Sequence, residues 1–173
     1  MRFLIFLAPS GFHDESFRFI RLFLDKWGIE NQVSSYTKAE CTGEHGAVCR
    51  PDVNASKVSV FGYDALLIVD GPGIEKYNLS EYRPLLDMIY SFYSNGKAVW
   101  AIGNAIKVLA RANVVKGKRV SMPKEQDAKS AVLMFHGVPS AARSEVQEKL
   151  CTVGNPDDLE EAIPEVFVRL GIK

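Results

Sequence analysis

The chain has 173 residues, of which 47% are hydrophobic and 24% charged, as expected for one soluble domain with a sizeable core. Its 21 lysine and arginine residues balance 21 aspartate and glutamate residues. We therefore predict no bulk binding to nucleic acid or to an anionic membrane, since both require a basic face. No apolar run is long enough for a signal-peptide core or a membrane span. The chain also has three cysteines, an odd number without metal-site spacing. Together with the absence of a long apolar run, they predict a cytoplasmic protein with reduced thiols.

Short apolar runs alternate with amphipathic segments along the whole chain. Residues 3–8, 65–69 and 98–102 are unbroken apolar runs, typical of parallel strands covered on both faces. Helical spacing of apolar residues predicts helices over 14–27, 80–95, 104–112 and 155–170. The other segments are predicted as a strand at 31–37, a loop or short hairpin at 38–50, a short strand at 118–121, a short helix starting at Pro123, and two or three short strands within 131–152.

This alternation predicts an α/β fold in a single domain, residues 1–173. The expected architecture is a flavodoxin-like three-layer sandwich, in which a mostly parallel sheet carries helices on both faces. In such sheets, ligands bind beyond the carboxyl ends of the strands, where the strand order reverses. Three strand ends therefore define the predicted cleft, namely residues 9–14, 70–73 and 103–104.

The turn after the third apolar run is the most informative segment. A tight turn from a buried strand into a helix is where many α/β enzymes hold a nucleophile. Here the turn contains Gly103 and Asn104, residues that reach a positive φ at low cost, and no nucleophile. Asn104 is predicted to be the N-cap of the following helix, with a ligand-donor role beside the backbone N–H groups as the alternative.

Other polar residues near the predicted cleft have simple structural interpretations. Asp14 is predicted to cap the first helix. Glu15 is either a first-turn acid favoured by the helix dipole or a partly buried acid that faces the cleft. Asp70 resembles the phosphoacceptor of response-regulator receivers, but residues 7–9 lack the acids that receivers carry after the first strand. We therefore reject a receiver function.

The histidines and cysteines indicate neither a metal site nor a thiol nucleophile. His13 is predicted to be an exposed loop residue, with entry into the cleft as the alternative. His45 and His136 lack partners at ligand spacing, so we predict no metal site. The three cysteines do not lie at predicted helix N-termini that would lower a thiol pKa, and they are interpreted as core or surface residues.

Four segments together resemble the ThiJ/PfpI (DJ-1-like) family, within the class I glutamine-amidotransferase-like superfamily. Residues 63–73, Tyr-Asp-Ala-Leu-Leu-Ile-Val-Asp-Gly-Pro-Gly, are similar to the family's segment Tyr-Asp-Ala-Leu-hydrophobic-Pro-Gly-Gly. The other similar segments are Gly-Glu-His-Gly at 43–46 with Pro-Asp-Val at 51–53, the elbow region 97–123, and Thr-Val-Gly-Asn-Pro-Asp-Asp-Leu at 152–159. Their order and spacing cover nearly the whole chain and are more specific than any one segment.

The resemblance places residues without the expected chemistry at the family's functional positions. It implies the nucleophilic cysteine at Gly103, histidines at Asn104 and Met122, the acid at Glu15 or Ser16, and the oxyanion-type Gly-Gly at Gly71 and Pro72. Pro72 has no N–H to donate. A nucleophile in such an elbow is strained by about 1–3 kcal/mol, so Gly103 is consistent with relaxation of the backbone after loss of the nucleophile.

These residues predict a non-catalytic family member. It would bind a small molecule or anion, or a partner, in the former active-site cleft, without a cofactor, and would form a homodimer or larger homo-oligomer as the resemblance implies. One alternative is a family hydrolase, an intracellular peptidase, amidase or glyoxalase-like enzyme, that uses another group such as Glu15. A further alternative is an interaction module that acts through its surface. The absence of His-x-Glu near the C-terminus argues against a glutamine amidotransferase.

Overall fold

The computed structural model describes residues 1–172, in which strands and helices alternate as predicted. The strands are β1 (Arg2–Phe6), β2 (Ser10–Phe12), β3 (Glu30–Ser35), β4 (Cys41–Gly43), β5 (Val48–Cys49), β6 (Val53–Asn54), β7 (Ala65–Ile68), β8 (Ala98–Ile102), β9 (Arg119–Ser121), β10 (Val138–Ser140), β11 (Ser144–Gln147) and β12 (Leu150–Val153). The helices are α1 (Asp14–Lys26), α2 (Gly73–Lys76), α3 (Arg83–Ser94), α4 (Ile106–Arg111), α5 (Gln126–Met134) and α6 (Leu159–Leu170). None of these helices has the length and hydropathy that crossing a bilayer requires.

Seven strands form the central sheet, in the order β11-β12-β8-β7-β1-β3-β6. Every neighbouring pair is parallel except β11 with β12. The five strands β3-β1-β7-β8-β12 reproduce the 2-1-3-4-5 order of flavodoxin-like sheets. The predicted fold class is therefore confirmed, and the strand order reverses beside β1.

Two apolar clusters on opposite faces of the sheet make the three layers. Along β1, Phe3 and Ile5 pack in the cluster that contains the buried faces of α1 and α6. Leu4 and Phe6 pack in the other cluster, with α3 and α4. Because alternate side chains of a strand point to opposite faces, a continuous apolar run is required wherever both faces are covered. The three apolar runs identified in the sequence are the central strands for this reason.

The region after β9 differs from the prediction. Residues 126–134 form α5, whereas a helix was expected from Pro123 and strands from residue 131. The three strands β10, β11 and β12 follow α5, between residues 138 and 153. Only Ala128 and Val132 of α5 are buried, so its apolar face is too narrow to give a clear helical spacing.

The N-cap of α1 is His13, so the prediction of Asp14 was wrong. The Nδ1 atom of His13 accepts a hydrogen bond from the Ser16 backbone N–H at 3.3 Å. The Asp14 carboxylate instead accepts from the backbone N–H groups of His45 (3.1 Å) and Ala47 (3.0 Å). Asp14 therefore ties the β4–β5 hairpin to the start of α1.

A small second sheet supports one wall of the predicted cleft. It has the order β2-β4-β5, in which β2 and β4 are parallel and β4 and β5 antiparallel. Thr42 N donates to Pro9 O at 3.1 Å, and Glu44 N donates to Phe12 O at 2.8 Å. The hairpin thus holds the segment between β1 and α1 across the carboxyl end of the central sheet.

Candidate functional site

The three strand ends that the sequence predicts to form the cleft meet at Asp70. His13 N donates to the backbone O of Asp70 at 2.7 Å. Asn104 N donates to the side-chain Oδ1 of Asp70 at 3.0 Å. Asp70 follows β7, His13 precedes α1, and Asn104 follows β8, so one residue links the loops from three adjacent strands.

Gly103 is buried and has a φ of 56°. An L residue is strained in this left-handed region, and glycine is not. A Cβ atom at this position would overlap the Asp70 carboxyl group, lying 2.5 Å from its Cγ. Hence Asp70 fills the space into which a side chain at Gly103 would project, and this is the position that the resemblance assigns to the nucleophile.

The Asp70 carboxylate also occupies two backbone donors of the site. Its Oδ1 accepts from Gly71 N at 2.7 Å and from Asn104 N at 3.0 Å. Two backbone N–H groups that converge on one oxygen are the arrangement of an oxyanion hole. Here the anion that they hold is part of the protein, so the anion site predicted beside Asn104 is already filled.

Opposing effects act on the pKa of Asp70. Burial is the largest and raises the pKa, because it disfavours the charged form. The N–H groups of Gly71 and Asn104 and the nearby His13 lower it, and Glu125 raises it. The net pKa is above the usual value for aspartate. A raised carboxyl pKa at a strand end marks a candidate functional group.

Asn104 does not cap the following helix, so that prediction was wrong. The chain enters α4 through a single 3₁₀ turn, Gly103–Ala105, and neither this turn nor α4 has a side-chain cap. The turn directs the Asn104 backbone N–H at Asp70 instead. The Oδ1 atom of Asn104 is buried and has no hydrogen-bond partner among the described residues.

Of the two candidates for the family acid position, Ser16 is the buried one. Ser16 is 2% exposed, and its Oγ lies 2.6 Å from Nδ1 of His13. Glu15 is exposed and lines a surface cavity of about 240 Å³ that includes neither Asp70 nor Gly103. The structure therefore does not place the Glu15 carboxylate beside Gly103, because the side chain points away from the buried face of α1.

The remaining predicted site residues have different surroundings. Gly71 has a φ of 138°, and a Cβ there would overlap Gly11 O, so these two loops touch through their backbones. Pro72 is exposed and precedes α2. Met122 is half-buried, and its N donates to Ser140 O at 3.2 Å. Gly71, Gly103 and Asn104 therefore surround Asp70, whereas no described hydrogen bond joins Met122 or Glu15 to that group.

Comparison with known proteins gives the family. The model of the DJ-1/PfpI family matches residues 1–166. The chain belongs to the DJ-1/PfpI family. The ThiJ/PfpI resemblance found in the sequence is thereby confirmed.

Among curated proteins, this DJ-1/PfpI chain is similar to relatives from archaea. It is 33% identical over 119 residues to an uncharacterized protein of Methanocaldococcus jannaschii, a match that covers 69% of this chain and 58% of that protein. It is 27% identical over 116 residues to the deglycase PfpI of Pyrococcus furiosus, covering 67% and 69%. The chain thus matches somewhat more than half of the first relative's length.

Solved structures agree on the fold. The ThiJ/PfpI domain protein of Brachyspira murdochii superimposes with a TM-score of 0.89 at 20% identity, over 99% of this chain and 95% of that one. DJ-1beta of Drosophila melanogaster gives a TM-score of 0.83 at 22% identity, over 99% and 91%. At these identities the likeness establishes the fold of the DJ-1/PfpI chain and nothing about its chemistry.

None of the cysteines of this DJ-1/PfpI member has a thiol pKa below the usual value. Burial raises the pKa of Cys41, Cys49 and Cys151. A catalytic cysteine nucleophile typically has the opposite shift, which a helix N-terminus or a nearby cation provides, whereas slow disulfide exchange requires no lowered pKa. For Cys49, Arg21 does lower the pKa, but the effect of burial is larger.

Sequence reasoning missed Asp70 as the centre of the site. The signal that could have found it was an acidic residue directly after a buried parallel strand, at the same sheet edge as Gly103. The space left open by the glycine, which explains why a carboxylate fits there, is visible only in the folded chain.

Proposed function

We propose that this DJ-1/PfpI protein performs no thiol-dependent catalysis and instead binds a small molecule or a partner at the former active-site cleft. One observation carries the proposal. The Asp70 carboxylate fills the space beside Gly103 and accepts from two backbone N–H groups. A substrate carbonyl at this position would meet a carboxylate in place of a nucleophile and free donors.

The same geometry supports a ligand that donates hydrogen bonds. The described hydrogen bonds of the Asp70 side chain all go to Oδ1, which leaves Oδ2 as an acceptor. Asn104 contributes a second oxygen without a partner among the described residues. Both groups favour an amine, amidine or similar donor over an anion, because a carboxylate repels a second negative charge.

Paired substitutions test the loss of thiol chemistry. We expect the wild-type protein, assayed with the glycated substrates of deglycases and with simple amides and esters, to show no turnover. Gly103→Cys alone should remain inactive, because its side chain would overlap Asp70. The double variant Asp70→Gly/Gly103→Cys has space for a thiol, because the side chain at position 70 is removed. Asp70→Asn/Gly103→Cys is its control, since asparagine keeps the volume of aspartate and leaves no such space.

Wild-type turnover that survives Asp70→Asn would count against this function and for an enzyme that uses another group. The specific observation behind that alternative is a contact between Ser10 and Lys76, in which Lys76 Nζ donates to Ser10 Oγ at 2.9 Å. Lys76 is exposed, whereas lysine bases work when buried. Loss of turnover in Ser10→Ala would establish the alternative.

A surface-mediated role is the third candidate, and it shares with the first an expected homo-oligomer. By resemblance to the family, we propose a homodimer or a larger homo-oligomer. Light scattering of the purified protein would give the mass. A ligand-independent partner interaction that persists in Asp70→Asn would favour the surface over the cleft.

A further inference from the structure

The β4–β5 hairpin places two free cysteines opposite each other. Cys41 and Cys49 are Cα partners in the antiparallel pairing, one residue pair beyond Thr42 and Val48. Both side chains belong to the apolar cluster shared with α1 and α6, so they lie on the same face of the hairpin. We propose that Cys41 and Cys49 form a reversible intramolecular disulfide by exchange with a low-molecular-weight disulfide.

The spacing of an antiparallel pair suits this bond. Directly opposite residues have Cα atoms about 4.5–5.5 Å apart, which lies inside the range of about 4.4–6.8 Å found for disulfides. Their Cβ atoms are about 4.5–5.5 Å apart, and a disulfide needs about 3.5–4.5 Å. An approach of roughly 1 Å therefore closes the bond, and this small adjustment favours a labile, readily reduced disulfide.

The two thiols differ in solvent exposure, and this difference predicts which of them reacts first. Cys49 is half-buried and Cys41 is 1% exposed. The positive charge of Arg21 of α1 lowers the pKa of Cys49, although burial outweighs this effect. Burial raises the pKa of Cys41. Cys49 is therefore the sulfur that meets the reagent first, and Cys41 is the sulfur that resolves the mixed disulfide.

The disulfide forms by two successive exchange reactions, which need only the small disulfide and solvent. The Cys49 thiol loses its proton to solvent, and its thiolate attacks one sulfur of the small disulfide, expelling one thiolate. Cys41 then loses its proton and attacks the Cys49 sulfur, expelling the second thiolate. The protein dithiol is oxidised by two electrons, the small disulfide is reduced, and the two expelled thiolates take up the two protons.

The disulfide would restrain the segment that forms one wall of the cleft. The hairpin pairs with β2 through Ser10–Thr42 and Phe12–Gly43, and the residue after β2, His13, is hydrogen-bonded to Asp70 O. Closing the hairpin covalently would restrain this segment. The inference does not depend on the proposed function, because it concerns thiols outside the Asp70 site.

The experiment treats the full-length reduced protein with glutathione disulfide and counts thiols after denaturation. We expect the three free thiols to fall to one, with a Cys41–Cys49 linkage in the peptide map that dithiothreitol reverses. Cys151→Ser is the matched control and should close the same bond. Three remaining thiols, a linkage to Cys151, or a stable glutathione adduct on Cys49 of the wild-type protein would overturn the proposal.

Single variants test the order of the two sulfurs. Cys41→Ser should accumulate glutathione on Cys49, because the resolving thiol is gone, whereas Cys49→Ser should stay unmodified at the buried Cys41. The reverse pattern would refute the assignment. If either serine variant fails to fold, the time course of the mixed disulfide on wild-type Cys49 gives the same information.

Discussion

Gly103 and Asp70 are complementary in shape, because the volume left free by the glycine is filled by the aspartate side chain. Gly103 allows a left-handed backbone without strain and leaves no side chain beyond it. The Asp70 carboxyl group occupies that volume and accepts hydrogen bonds from two backbone N–H groups. A nucleophile cannot return to position 103 while Asp70 keeps this conformation.

Gly103→Ala tests this complementarity through stability. The left-handed backbone costs an alanine about 1–2 kcal/mol, and the overlap with Asp70 adds about 1–3 kcal/mol. Gly28→Ala is the control and should lose only the first amount, since Gly28 has a φ of 67° and a Cβ added there would have no atom within 4 Å. Unfolding in urea gives both values, and Asp70→Gly should recover part of the loss at Gly103. Equal losses for the two alanine variants would contradict the overlap.

The stability of the protein should depend on pH through Asp70. Burial raises the Asp70 pKa in the folded state, so the folded chain binds this proton more tightly than the unfolded chain. The resulting stabilisation is complete below the unfolded pKa of about 3.9 and is lost as the pH rises through the raised folded pKa. Asp70→Asn does not titrate at this position. The free energy of unfolding of wild type relative to Asp70→Asn should therefore decrease from acidic to neutral pH, and an increase would disprove the assignment.

At the level of single residues, the sequence predicts backbone roles better than side-chain contacts. The positive φ of Gly103 and of Asn113, 56° and 67°, follows from residue type at a turn and at a helix end. The contact between Asp70 and Gly103 joins positions on different strands, and its existence depends on the register of β7 and β8. That register is set by packing over the whole sheet, which no local pattern contains.

At the level of elements, the central strands were predictable and several helix boundaries were not. An unbroken apolar run identifies β8 at 98–102 because both faces of the sheet are covered. The start of α1 was misassigned because both His13 and Asp14 can accept a hydrogen bond at an N-terminus. The hairpin N–H groups at His45 and Ala47, distant in sequence, engage Asp14 and leave the cap to His13. Tertiary contacts therefore decide between local alternatives.

At the scale of the whole molecule, Phe167 of α6 packs the last helix against the first strand and the first helix. Its ring contacts Phe3 of β1, Phe23 of α1, Trp27 directly after α1, and Trp100 of β8, with centroid distances between 5.0 and 6.2 Å. These contacts fasten one helical layer to the sheet. The aromatic cluster lies on the face that also contains Cys41 and Cys151, so its packing bears on the burial of both thiols.

Phe167→Ala should therefore destabilise the fold as a whole. Truncating a fully buried phenylalanine costs about 3–5 kcal/mol, from lost burial and the cavity left behind, and Phe167 is 1% exposed. Val168→Ala is the matched control on the same helix, because Val168 is 78% exposed and surface substitutions change stability by about 0.5 kcal/mol or less. Urea unfolding followed by tryptophan fluorescence measures both, since Trp27 and Trp100 contact the ring. A loss at Phe167 no larger than that at Val168 would mean that α6 docks independently of this cluster, and a separate unfolding transition for α6 would then be expected.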